Sequence, residues 1–147
     1  MFSLPNWGNA GGSLSDYAKR IIRFVRANVV VATETCTAEV EVESPGFGSF
    51  VGSAQGGISA ADQLRAVARA TADALSDAFE ADNARVRVIG VQVVDVVPHS
   101  AVMVRLAASK GTHNRTLLGV CDGDTHDTPT ATALAVLNAT NRFLSRR

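Results

Sequence analysis

Ile21-Ile22-Arg23-Phe24-Val25, set above Arg85-Val86-Arg87-Val88-Ile89, decides how this chain is read, because the two stretches continue in step. At the same offset of 64, Val29-Val30 falls on Val93-Val94. Further on, Ala38-Glu39-Val40-Glu41-Val42 falls on Val102-Met103-Val104-Arg105-Leu106. Apolar residues recur at alternate places in both copies, the period of a strand with one buried face. Past the next turn the offset becomes 69, with Phe50-Val51-Gly52 on Gly119-Val120-Cys121. Ala66-Val67 and Ala70-Thr71 then meet Ala135-Val136 and Ala139-Thr140. The change falls in loops 43–49 and 108–118, where insertions cost little. A repeat of this size fixes the architecture before any motif is weighed.

Each copy reads strand, strand, strand, helix. The first copy places strands at 21–33, 37–43 and 48–54, with Ser44-Pro45-Gly46 supplying a tight reversal. The second places them at 85–97, 101–108 and 115–121, with turns at Pro98-His99 and Lys110-Gly111. Ser59 before Ala60-Ala61-Asp62 is a helix N-cap with an acid at the third position. Leu64, Val67, Ala68, Thr71, Leu75 and Phe79 then form an apolar stripe, while Arg65, Arg69, Asp73 and Asp77 lie opposite, and Asn83 is the expected stop. The second helix opens at Asp127 or Thr128, with Pro129 in its first turn and Leu134, Val136, Leu137, Phe143 and Leu144 as packing surface. Alanines four apart in both helices (Ala66, Ala70, Ala74; Ala131, Ala135, Ala139) allow close approach to a neighbour, although high helix propensity alone also accounts for them.

The expected fold class is therefore α+β, a tandem βββα-βββα repeat about a pseudo-twofold, with antiparallel sheets and two helices. Within 147 residues this is one domain at 13–147, holding repeats at 20–81 and 84–147 behind an N-terminal tail at 1–12 expected to be flexible. Fourteen basic residues balance fourteen acidic ones, which argues against nucleic acid as a partner. No apolar run reaches the roughly 20 residues of a membrane helix. Two cysteines, Cys36 and Cys121, are too few for a disulfide framework, so a cytoplasmic location is expected. Residues 13–27 also have helical spacing, and Lys19, Arg20, Arg23 and Arg26 would give such a helix a basic face. The repeat instead makes Ile21 onward a strand, leaving at most a short helix at 13–20.

The second copy carries a resemblance. Gly119-Val120-Cys121-Asp122-Gly123-Asp124-Thr125-His126-Asp127, followed by Ala131-Thr132 and by residues 135–142 (AVLNATNR), resembles the regulatory domain of 2-isopropylmalate synthase. Asp127, Ala131, Ala135, Leu137, Asn138, Ala139, Asn141 and Arg142 match that family's pattern. The family's domain is also two strand-strand-strand-helix units about a pseudo-twofold, so the resemblance spans residues of about 20 to 147. It implies a leucine-sensing, dimerising domain whose ligand sits near the loops before the two helices. The chain departs from the pattern in the first of those loops. Gln55-Gly56-Gly57-Ile58-Ser59-Ala60-Ala61 stands where the family has Gly-x-Gly-Pro-x-Asp-Ala, and only one of the two spaced glycines is kept. The synthase's catalytic barrel has no counterpart here, so its condensing activity is not implied. The chain also looks like small stand-alone proteins of high-GC bacteria that share this double-repeat pattern.

The densest polar cluster is Cys121 to Asp127. Thiol, imidazole and carboxylates together could ligate a metal, but an EF-hand would need Glu where Ala133 stands, and the expected role of Asp124 and Asp127 is to cap the second helix. No cofactor or metal is expected. Nothing sets a base beside a thiol, and no nucleophile elbow or phosphate loop is present, so the expectation is a non-enzyme. The expected ligand-binding residues are Gly56, Gly57, Ile58 and Ser59 with Asp124, His126 and Asp127, where two helix N-termini would present backbone donors in one cleft. The expected function is a small-molecule-binding or regulatory dimerisation module, working as a homodimer with a metabolite or protein partner. The alternative is an assembly subunit with no ligand of its own.

Overall fold

The computed structural model describes residues 22–145. Strands β1 (Arg23–Val31), β2 (Cys36–Ser44) and β3 (Gly48–Gly56) lead into helix α1 (Ala60–Ala78). A short 3-10 turn (Glu80–Asp82) ends at Asn83, whose left-handed φ of 55° suits asparagine. Strands β4 (Ala84–Val96), β5 (His99–Lys110) and β6 (His113–Asp122) lead into α2 (Thr128–Ser145). The tail and the short helix expected before Ile21 lie outside the described residues.

Two antiparallel sheets result, ordered β1-β2-β3 and β4-β5-β6. The fold is α+β in a βββα-βββα order with a twofold, repeat-like arrangement. The first two strands of each copy keep the offset of 64 down to their irregularities. The β1–β2 register slips at Val25 and the β4–β5 register at Ile89, so a β-bulge sits at the same place in both halves. The third strands differ from the sequence expectation. Val40 pairs with Gly52 and Val104 with Gly119, so the equivalent of Gly52 is Gly119, not Cys121. The second hairpin is longer by three residues, all of them within the β5–β6 arms and turn.

The central strands carry the core. On β2, Cys36, Ala38, Val40 and Val42 are buried, and on β5, Val102, Val104, Leu106 and Ala108. Each buried valine or leucine contributes about 1.5–3 kcal/mol relative to exposure. Helix α1 packs on β2 and β3 of its own sheet and also on β4; α2 packs on β5 and β6 and also on β1. The helices touch each other as well, so they form the middle of the molecule, covered from more than one side. This accounts for their composition. Ala66, Ala68, Ala70, Ala72 and Ala74 are buried in α1, and Ala131, Ala133, Ala135 and Ala139 in α2, around most of each helix. Thr71, Thr132 and Thr140 are buried too, and their hydroxyls donate to the carbonyls of Val67, Thr128 and Val136 one turn back.

Glycine sets the distance between sheet and helix. A Cβ on Gly52 would run into the Ala70 carbonyl oxygen and stand 2.6 Å from the Ala74 nitrogen. A Cβ on Gly119 would run into the Ala135 carbonyl oxygen and stand 2.7 Å from the Ala139 Cβ. The side chains beside these contacts correspond as well. Asp73 accepts from the Ser53 amide at 3.4 Å, and Asn138 donates to the Val120 carbonyl at 3.0 Å, each tying a helix to its edge strand.

Candidate functional site

The helix starts define the site. Ser59 Oγ accepts from the Asp62 amide at 3.1 Å, and Asp127 Oδ1 accepts from the Thr130 amide at 2.8 Å. These bonds occupy amides that a ligand at either helix N-terminus would otherwise meet. Two hydrogen bonds from Thr130, the backbone amide first and the side-chain hydroxyl second, and the nearby His126 hold the Asp127 carboxyl below its ordinary range.

The helices do not enter at the same height. Ala70 stands eleven residues beyond the cap Ser59, whereas Ala135 stands only eight beyond Asp127. Measured from these equivalent contacts, α1 therefore begins three residues earlier than α2, reaching about 4.5 Å further along its axis. The result is an apolar cavity of about 360 Å³ between the helix starts and the two first strands. Val29 of β1 and Val93 of β4, equivalent residues in the two halves, face it. Helix α1 contributes two turns, through Ala60, Gln63, Leu64 and Val67, while α2 contributes only Thr128 and Pro129. Polar character is confined to Gln63 and Thr128, and the Gln63 amide is fixed because its Nε2 donates to the Ile58 carbonyl at 2.8 Å.

The residues expected from sequence to bind a ligand stand beside this cavity, on the chain segments just before its lining. Gly56 closes β3, and Gly57 is crowded by the Asp62 carboxylate. Ile58 is exposed, and Ser59 is engaged as the α1 cap. His126 is exposed, and Asp127 caps α2. Asp124 does not cap the helix. Its Oδ2 lies 2.6 Å from His99 Nδ1, and its Oδ1 accepts from the Ser100 amide at 3.4 Å, joining the loop before α2 to the start of β5. Asp122, exposed, is engaged within the loop as well, accepting from the Asp124 amide at 2.8 Å. Among the described residues, no three His, Cys, Asp or Glu side chains converge on a point that could hold a metal ion.

Neither thiol is set up as a nucleophile. Cys36 and Cys121 are unpaired and buried. Burial first, and the Asp122 charge second, push the Cys121 thiol up from its ordinary pKa. The basic cluster considered for surface attachment is partly neutralised: Arg23 pairs with Glu43 at 3.1 Å, and Arg26 with Glu39 and Glu41 at 3.0 Å each. Lys19 and Arg20 lie outside the described residues. Among the described residues, no helix is long and apolar enough to cross a membrane.

Val29 and Val93 were aligned by the repeat, and Leu64 and Val67 belong to the α1 stripe, yet nothing in one dimension joins them into a cavity. Only the unequal starts of the two helices do so. No protein-family model matches the chain, and no curated protein matches it.

Proposed function

We propose that the protein is a non-catalytic module that binds a small, largely apolar metabolite in the cavity between the two helix starts and works as a homodimer. The observation that carries this reading is the cavity itself. Its volume of about 360 Å³ is within the range of ligand pockets, and its walls are apolar with two polar side chains to orient a ligand. The site is flanked by the two strand-to-helix loops, and the resemblance to the leucine-sensing domain of 2-isopropylmalate synthase draws on the second of them and the helix that follows it. A buried, protonated Cys121 and the engagement of Asp122, Asp124 and Asp127 in structural hydrogen bonds support a role without chemistry.

The test is a thermal-shift screen against branched-chain amino acids and their 2-oxo acids. A ligand that binds only the folded state raises Tm by mass action, by about 2.7 kcal/mol of stability at a hundredfold excess over Kd. Val93 is 46% exposed, so Val93→Phe fills the cavity mouth without disturbing the core. The expected result is an unchanged Tm without ligand and loss of the ligand-induced shift. A screen in which neither class shifts Tm sinks the reading.

The assembly reading has its own observation. Met103, Leu118 and Val120 lie together on the outer face of the second sheet, with Leu118 57% and Val120 44% exposed. Native mass spectrometry over a concentration series separates the two readings. A flat ligand screen together with a concentration-dependent oligomer favours assembly.

A further inference from the structure

The outer faces of the two sheets descend from equivalent positions but carry opposite chemistry. On β2 the outward residues are Glu39, Glu41 and Glu43; their equivalents on β5 are Met103, Arg105 and Ala107. Arg23 faces Glu43 across the first sheet and is paired with it. Its equivalent Arg87 faces Ala107, so the carboxylate is gone while the guanidinium stays. Among the described residues, no carboxylate stands within ion-pair distance of Arg85, Arg87 or Arg115.

Arg85 and Arg87 face a groove of about 740 Å³ that crosses β4, β5 and β6 near the β5–β6 turn, whereas Arg115, in register with Val86 and the buried Ala108, borders it through its backbone and turns its side chain to the other face. One ridge carries Arg85, Ser109 and Asn114, and the other Arg87, Ala107 and Thr116. Small central residues flanked by long cationic ones make the groove concave. No acid lines it, and Ser109, Asn114 and Thr116 add neutral hydrogen-bonding groups. A cleft with cations of one sign concentrates anions. Its width across three strands is about 10 Å, the scale of a small molecule.

We propose that this groove binds a small organic anion carrying at least two negatively charged groups, phosphate or carboxylate, with the Arg85 and Arg87 guanidiniums as the cations and Asn114 and Thr116 across from them. Guanidinium forks suit both kinds of group. A second copy of the chain is the weaker occupant. Setting the acidic outer face of one sheet on the basic outer face of another joins unlike surfaces, a head-to-tail contact that closes into a ring only when the rotation permits and otherwise propagates without end. The site is separate from the cavity between the helix starts and stands whether or not that cavity is filled.

The test is an amide-resolved NMR titration of the full chain with pyrophosphate and, separately, with citrate. Saturable shifts are expected at residues 85–87, 107–109 and 114–116, and the tighter of the two probes tells phosphate from carboxylate. Arg87→Gln should weaken binding about tenfold or more, the loss of one charge-assisted hydrogen bond. Ala107→Glu, which restores the carboxylate the first half has at Glu43, should do the same by occupying Arg87. Both positions face solvent, so the rest of the spectrum reports that the fold is kept. Val93→Phe should leave this binding untouched. The proposal is overturned by the absence of saturable shifts with either probe, by wild-type affinity in Arg87→Gln or in Ala107→Glu, or by equal shifts at Arg23 and Arg26. Tighter binding of a single-stranded oligonucleotide, with shifts running on to Leu118 and Val120, also overturns it.

Discussion

The two halves share a backbone and differ in what they do with it. Their first strands bulge at Val25 and Ile89, their third strands meet the helices through Gly52 and Gly119, and their central strands bury the same alternate positions. The first half neutralises its outer arginines with glutamates, while the second sets Arg85 and Arg87 beside a groove that no acid lines. The first helix is capped by a serine and the second by an aspartate. Positions that set backbone spacing are thus the same in both halves, and positions that face solvent or a cavity have diverged. Packing admits few solutions, while a solvent face admits many.

The strictest test of the shared part is the pair of glycines. Gly52→Ala and Gly119→Ala should each cost about 3 kcal/mol or more, because a methyl meets helix backbone that cannot move aside. Urea melts of the two variants should show similar losses. A tolerated substitution in either half would mean that its sheet and helix are not in this contact.

The caps come next. Ser59→Ala and Asp127→Ala should each cost about 1 kcal/mol at neutral pH. Acid should then separate them. The folded-state pKa of Asp127 is lowered, so its contribution is full above the ordinary aspartate value of 3.8 and fades as pH falls through the lower folded value. The cost of Asp127→Ala should shrink over that window, and the cost of Ser59→Ala should not. Equal pH profiles in chemical denaturation would remove the distinction.

The smallest effect belongs to the exposed pair that marks the first half. Glu43→Gln removes the partner of Arg23, whose side chain is 68% exposed, and should cost less than about 0.5 kcal/mol. A loss above 1 kcal/mol would assign that pair a structural role that its exposure does not suggest.

The fold was legible where side chains alternate and illegible where they do not. Strands β1, β2, β4 and β5 could be placed at the correct offset because a slip of one residue turns buried valines outward. The third strands and helices resisted. Ala66, Ala70 and Ala74 look the same after a shift of one turn, so the offset of 69 read from the sequence matched alanines as well as the true contacts do. The site was legible as a place, between two helix starts, and not as a chemistry. Its lining depends on how far α1 reaches beyond the start of α2, which no local pattern encodes. The role of Asp124 was missed for a related reason: its partner His99 is 25 residues away, at the far end of the β5–β6 hairpin.

The cross-packing of helices and first strands bears on how the chain is made. A ribosome delivers β1 well before α2, yet part of the cover of β1 is α2. The nascent first half therefore waits with one strand incompletely sheltered until α2 has emerged, and a premature stop before Thr128 would leave that early strand partly bare as well as removing the later helix.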